Sequence, residues 1–137
     1  VEEVLVDAAA ALMVRSPERF DTLITTNMFG DILSDLASEL CGGLGLAGSL
    51  NAGPTHAAAQ AQHGAAPDIA GRGVANPVSL ILSLAMLLRH LGEAHAASAI
   101  EGHVADTLPK LRTVDLDGDA DTATFTHYLV SSIEATA

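Results

Sequence analysis

The stretch Phe20 to Leu40, FDTLITTNMFGDILSDLASEL, changes its period part-way along. Phe20-Asp21-Thr22-Leu23-Ile24-Thr25-Thr26 is short, rich in β-branched residues and bounded by polar ones, which predicts a buried strand. From about Gly30 to Leu40 the spacing predicts a helix. Asp31 and Asp35 lie four residues apart and share one face of it, and Glu39 continues the row. No Lys or Arg stands at helical spacing to relieve their repulsion. Asp31 falls just beyond the end of the expected strand, where α/β proteins usually place their ligands. Two readings stay open. The row is solvated surface, with an acid near the helix start favoured by the helix dipole, or it offers hard oxygen ligands to Mg²⁺ or Mn²⁺.

Upstream, Val1 to Val14 is apolar at helical spacing, with Val4, Ala8, Ala11 and Leu12 expected near one face and Ser16-Pro17 ending the run. Asp7, lodged in that apolar helix, is either a surface acid or a third metal ligand. Downstream, Cys41 to Pro54 is glycine-rich and contains Gly43-x-Gly45-x-x-Gly48. A dinucleotide fingerprint needs a strand before it and a helix opening inside it. Here a helix precedes and Asn51-Ala52-Gly53-Pro54 forbids one after, so these glycines read as a hinge or crossover. His63 to Pro77, HGAAPDIAGRGVANP, is too broken by Gly and Pro for a regular element. Asn76-Pro77 then has the form of an N-cap followed by a first helical proline. The helix VSLILSLAMLLRHLG is apolar nearly all round, which predicts burial, with Gly92 closing it. Ala94 to Leu111 repeats the pattern with a stripe of Ile100, Val104, Leu108 and Leu111, and Thr122 to Ala135 predicts a last helix.

With 137 residues, 49% apolar and 17% charged, the chain can bury a real core. Its net charge of −11 argues against binding a phosphate backbone, so no nucleic-acid partner is expected. Cys41 is the single cysteine, which excludes an intrachain disulfide and is compatible with a reducing compartment. The longest apolar run, Val78 to Leu88, is too short to span a bilayer, so no membrane partner is expected. No basic-then-apolar leader is visible, although residue 1 is Val and VEEVLVDAAAALM reads as the interior of a helix. The six histidines show no HxxxH pair, no nucleophile elbow is present, and the three methionines read as core filler.

Two strings in order, TTNMFGDILSDLASEL and HGAAPDIAGRGVANP, resemble the β-decarboxylating dehydrogenases, the family of 3-isopropylmalate, isocitrate, homoisocitrate and tartrate dehydrogenases. VDAAAALMVRSPERF and TVDLDGDADTATF match in order and spacing as well. The resemblance implies an α/β, two-lobed fold, of which this chain is a mostly helical C-terminal fragment. Residues 1–42 would close the metal-binding and dimer lobe, and 43–137 would form the C-terminal part of the cofactor lobe. The implied reaction is oxidative decarboxylation of a 2-hydroxy di- or tricarboxylic acid, 3-isopropylmalate-like, in the cytoplasm. NAD and Mg²⁺ or Mn²⁺ are the implied cofactors, the ion stabilising negative charge as hydride leaves and CO₂ departs. Asp31 and Asp35 match metal ligands of one subunit, and Asp7 matches a ligand reaching the neighbouring subunit's site, which implies a homodimer with shared active sites.

The loop His63 to Asn76 resembles the family's cofactor-binding loop. His63 would lie against adenine, and Gly64, Ala65, Ala66, Pro67 and Ile69 would provide close backbone approach. Asp68 matches the carboxylate that binds the adenosine ribose hydroxyls and repels the 2′-phosphate of NADP; Asn76 and Asp115 match further cofactor positions. The chain departs from the family where Gln60, within Ala59-Gln60-Ala61-Gln62, replaces a Glu, and where Ala65 replaces a Ser. The family's catalytic Lys and Tyr and its substrate-gripping arginines belong upstream of residue 1. The competing expectation is a non-catalytic remnant or assembly module of the same fold.

Overall fold

The computed structural model describes residues 1–136, and they fall into two compact units, residues 1–42 and residues 43 onward. In the first unit, helix α1 (Val6–Arg15) is followed by a 3₁₀ turn (Pro17–Arg19) and helix α2 (Asn27–Leu40). The two helices meet through buried Ala9, Met13 and Leu33, with Val4, Val6, Ala10, Phe20 and Leu36 around them. The buried face of α1 is therefore out of phase with the expected one: Ala8 and Ala11 are exposed. A helix apolar on most sides carries little phase information, and the packing partner decides. Helix α2 begins at Asn27, three residues earlier than expected, which places Asp31 in its second turn rather than its first.

The strand expected at Phe20–Thr26 is absent. Its ends hold extended backbone, but among the described residues the sole sheet lies elsewhere. A strand needs a neighbour for its N–H and C=O groups, and the described chain supplies none at this edge. The segment instead lines a cleft of about 850 Å³ together with Leu5, Phe29 and Leu33.

The second unit contains strands β1 (Gly48–Ala52) and β2 (Ala57–Ala61), an antiparallel hairpin closed by a Gly53 N–H to His56 C=O hydrogen bond of 2.8 Å. The glycine-rich crossing thus leads into a strand, through a 3₁₀ turn at Leu44–Leu46. Helices α3 (Val78–His90), α4 (Ala94–Thr107) and α5 (Thr122–Glu134) complete the unit, with a 3₁₀ turn at Val114–Leu116. Val78, Val104, Phe125 and Leu129 form the core, and the expected stripe of Ile100, Leu108 and Leu111 packs against it, although α4 ends at Thr107 and leaves Leu108 and Leu111 beyond the helix. His103 joins α4 to α5, its ring nitrogens 3.1 Å from Ser132 Oγ and 3.0 Å from Thr136 Oγ1.

Helix α3 is not buried as its composition suggests. Ser79 and Ser83 are fully buried, while Leu80 and Leu84 are 58% and 48% exposed. The serines face the hairpin because its backbone needs them. Ser83 Oγ accepts the Ser49 N–H at 3.0 Å and donates to the Gln60 C=O at 2.7 Å, bridging two register partners. One helical turn away, Ser79 Oγ donates to the Ala47 C=O and accepts the Gln62 N–H at 2.9 Å. Gly48 lets the backbones meet: a Cβ there would lie 3.0 Å from Ser83 N and Met86 Sδ. Of the methionines only Met13 fills a core; Met28 and Met86 are exposed.

Two outcomes test this account in the full-length protein. Ser83→Ala removes the two part-buried bonds of the serine bridge and should cost about 1–3 kcal/mol in denaturant melts; an unchanged midpoint would remove the serine bridge from the account. Separately, Asp121 caps α5 by accepting the Thr124 N–H at 2.6 Å, and that bond lowers its carboxyl pKa below the usual 3.8. The depressed folded value means the cap contributes fully above 3.8 and is lost as pH falls through the folded pKa. The Tm difference between wild type and Asp121→Ala should accordingly be larger at pH 6 than on strong acidification; an equal difference at both would show the charge to be irrelevant.

Candidate functional site

In the first unit, Asn27, Asp31 and Asp35 stand at successive four-residue steps on α2 and are exposed, forming one polar ridge. The Asn27 amide donates to Asp31 Oδ2 at 3.4 Å. Asp31 and Asp35 thus present hard oxygen donors one helical turn apart, a set suited to an ion that takes few protein carboxylates and completes its shell with water or substrate. Asp7 lies in the first turn of α1 and is exposed, and its Oδ1 accepts the Ala8 N–H at 2.8 Å. Among the described residues no group of three or more His, Cys, Asp or Glu side chains is placed to hold a metal, so Asp7 does not join the α2 pair within this chain.

In the second unit, a cavity of about 520 Å³ lies between the loop that follows β2 and the turn after α4. That volume is in the range of small-molecule sites. His63, Gly64, Ala65, Ala66, Ile69, Asn76 and Asp115 line it, so a contiguous sequence motif and a residue about forty positions further on share one wall. Pro67 and Asp68 are exposed and lie outside the lining. Leu44, Gly45, Ala70, Gly71, Gly73, Val74 and Ala75 complete it. Gly45 belongs to the stretch read from sequence as a hinge; its role is a close approach, since a Cβ there would sit 2.9 Å from Asp115 Oδ2. No local signal ties Gly45 to Asp115, because the pairing is made by the fold.

The loop is shaped by short bonds at several points. The Ile69 N–H reaches the Ala66 C=O at 3.1 Å, and the Arg72 N–H reaches the Ile69 C=O at 3.1 Å. Ala66 takes φ +42°, a left-handed conformation costing an L-residue about 1–2 kcal/mol. At the far end, Thr122 opens α5 by donating its N–H to the Gly73 C=O at 2.8 Å and its hydroxyl to the Ala75 C=O. Asn76 is buried, and its Oδ1 accepts the Val78 N–H at 2.9 Å, so it caps α3 as expected, with the regular helix starting one residue later. His63 Nδ1 lies 2.9 Å from the Gly64 C=O.

The charge pattern decides what can enter. Asp115 is the only formally charged side chain among the described residues that line the cavity. Arg72, between two lining glycines, borders a different hollow with Asp121, Thr122 and His127. The walls are otherwise small and apolar, with an amide at Asn76 and an imidazole at His63. Such a site suits a flat, neutral group carrying hydrogen-bond donors, and it offers no side-chain cation to a phosphate. Among the described residues no helix is long and apolar enough to cross a membrane.

Comparison with known proteins gives a consistent answer. The isocitrate/isopropylmalate dehydrogenase family profile matches residues 1–132. The chain is 52% identical over 136 residues to the isocitrate/homoisocitrate dehydrogenase of Thermus thermophilus, covering 98% of this chain and 41% of that protein. It is 46% identical over 128 residues to an NAD isocitrate dehydrogenase catalytic subunit of Arabidopsis thaliana, covering 91% of this chain and 34% of that one. The crystal structure of isocitrate dehydrogenase from Methylococcus capsulatus superposes with a TM-score of 0.90 at 47% identity, over 93% of this chain and 39% of that one. The chain therefore spans about two fifths of the length of the relatives it matches and has the isocitrate dehydrogenase-like fold. It belongs to the isocitrate/isopropylmalate dehydrogenase family.

Proposed function

We propose that this chain is the C-terminal part of an NAD- and divalent-metal-dependent dehydrogenase that oxidatively decarboxylates a 2-hydroxy di- or tricarboxylic acid. The observation that carries the reading is the cavity, whose lining gathers most of the loop His63–Asn76 with the distant Asp115. In this reading residues 43–137 belong to a cofactor-binding lobe and residues 1–42 to a metal-binding, dimer-forming one. The cavity receives adenosine: His63 offers a ring face, Gly64, Ala65 and Ala66 give backbone approach, and Asn76 and Asp115 offer polar edges. Asp68, exposed beside this wall, stays available to a ribose hydroxyl outside the lining proper. The absence of side-chain cations from the lining favours NAD over NADP. A lone, exposed Cys41 is in keeping with a cytoplasmic setting.

Asp31 and Asp35 would hold the divalent ion. When bound, that ion supplies Lewis-acid polarisation of the substrate's hydroxyl and carboxylate oxygens. Asp7 serves the site of a second copy of the chain, a reading supported by its separation from the α2 pair within one chain. The selection among isocitrate, homoisocitrate and isopropylmalate side chains is assigned to the part of the protein outside residues 1–137.

Kinetics of the full-length enzyme with each cofactor check the first point. Like-charge repulsion from Asp115 and Asp68 should favour NAD over NADP by at least about tenfold in kcat/KM; equal use of NADP would overturn it. Subunit complementation checks the second. Asp7→Asn and Asp31→Asn should each lower activity by about a hundredfold or more. When the two inactive variants are mixed and reassembled, half the dimers are hybrids with one intact site, restoring about a quarter of wild-type activity. No restoration on proven subunit exchange would place Asp7 in its own chain's site or outside the site.

A further inference from the structure

Thr113 is fully buried, and valine would fill its volume, yet a hydroxyl stands there. Its Oγ1 donates to Asp115 Oδ1 at 2.5 Å. The other carboxylate oxygen, Asp115 Oδ2, accepts the Asn76 amide at 3.3 Å, a longer and weaker bond. Asn76 is in turn fixed by accepting the Val78 N–H at the opening of α3. A chain of side chains thus runs from the interior, through the one charged group of the cavity wall, to the N-terminus of the central helix. The turn around Thr113 is itself fixed, because its carbonyl accepts the Leu116 N–H at 2.9 Å and the Gly118 N–H at 3.0 Å.

We propose that Thr113 is a positioning residue for cofactor binding: its hydroxyl holds the Asp115 carboxylate in the cavity wall in the orientation that receives the adenosine half. The inference rests on the reading of the cavity as an adenosine site. Asp115 is exposed, so without Thr113 its carboxylate keeps only the long bond to Asn76 and regains rotamer freedom. Binding must then order it again, and affinity falls by that cost. Gly45 leaves room for the rotamer that Thr113 holds, since a Cβ there would lie 2.9 Å from Asp115 Oδ2. A buried hydroxyl that merely satisfies itself would not need a ligand-facing acceptor as its partner.

The test uses the full-length protein and two probes, NADH and AMP, titrated by calorimetry, with steady-state kinetics alongside. Thr113→Val, which removes the donor and keeps the shape, should weaken NADH binding by about tenfold, with the loss falling on the cofactor KM rather than on kcat. Thr113→Ser, which keeps the donor, should bind within about twofold of wild type. In an Asp115→Ala background, Thr113→Val should add little further loss, because the two act as one unit. If valine prevents folding, Thr113→Ala takes its place in the same comparison. Wild-type protein that binds neither NADH nor AMP would sink the adenosine reading itself. Wild-type binding with T113V unchanged, T113S as weak as T113V, or full additivity with D115A would each overturn the positioning role alone.

Discussion

Two hydroxyls, those of Ser79 and Ser83, hold the second unit in register. A two-stranded hairpin is marginal on its own. The serines add bonds to it from α3: Ser83 bridges the Gln60 C=O and the Ser49 N–H within the strands, and Ser79 bridges the Ala47 C=O and the Gln62 N–H just beyond their ends. The consequence reaches the cavity. Gln62, whose N–H is held by Ser79, directly precedes His63. Asn76, at the other end of the same loop, is held on the N–H of Val78. Both ends of the cavity-forming loop therefore converge on the first turn of one helix, α3, and Thr122 fastens the strip between them.

Helices were the legible part of the fold, because period and caps are local. Asn76 and the apolar stripe of Ile100, Val104, Leu108 and Leu111 act as their spacing implies. The strands were not legible. GSLNA and AAAQA have little intrinsic β propensity; they are strands because α3 presents hydroxyls to them and Gly48 allows close contact. The converse holds for Phe20–Thr26, which has the composition of a strand and no neighbour to make it one. Helix α3 misleads for a related reason: its leucines outnumber its serines, but an unpaired backbone amide costs more than an exposed leucine. Hydrophobic count alone therefore assigns the wrong side of this helix to the interior.

The site divides in the same way. The loop from His63 to Asn76 is contiguous and was readable as a unit, whereas the walls contributed by Leu44, Gly45 and Asp115 arrive through tertiary packing. Gly45 is instructive, since one glycine can serve a flexible crossing or a close approach, and sequence alone does not say which. The α2 carboxylates were readable because i and i+4 share a face in any helix. Their place in the helix was not: moving the start to Asn27 removes the dipole explanation for Asp31, because the field of a helix end falls off within its first turn.

The carboxylate pair also sits in the unit with the smaller core. Ala9, Met13 and Leu33 are the buried apolar side chains of residues 1–42, against Val78, Val104, Phe125 and Leu129 and their larger shell in the second unit. A unit of that size gains little stability from burial alone, and two like charges one turn apart on an exposed face subtract a few tenths of a kcal/mol more. Any cation that engages both carboxylates removes that repulsion and binds the folded helix in preference to the unfolded chain. For such a cation, the stability of α2 and its binding affinity would be linked quantities. Substitutions in the α1–α2 contact, at Ala9, Met13 or Leu33, would then act on both, although none of these side chains carries a charge.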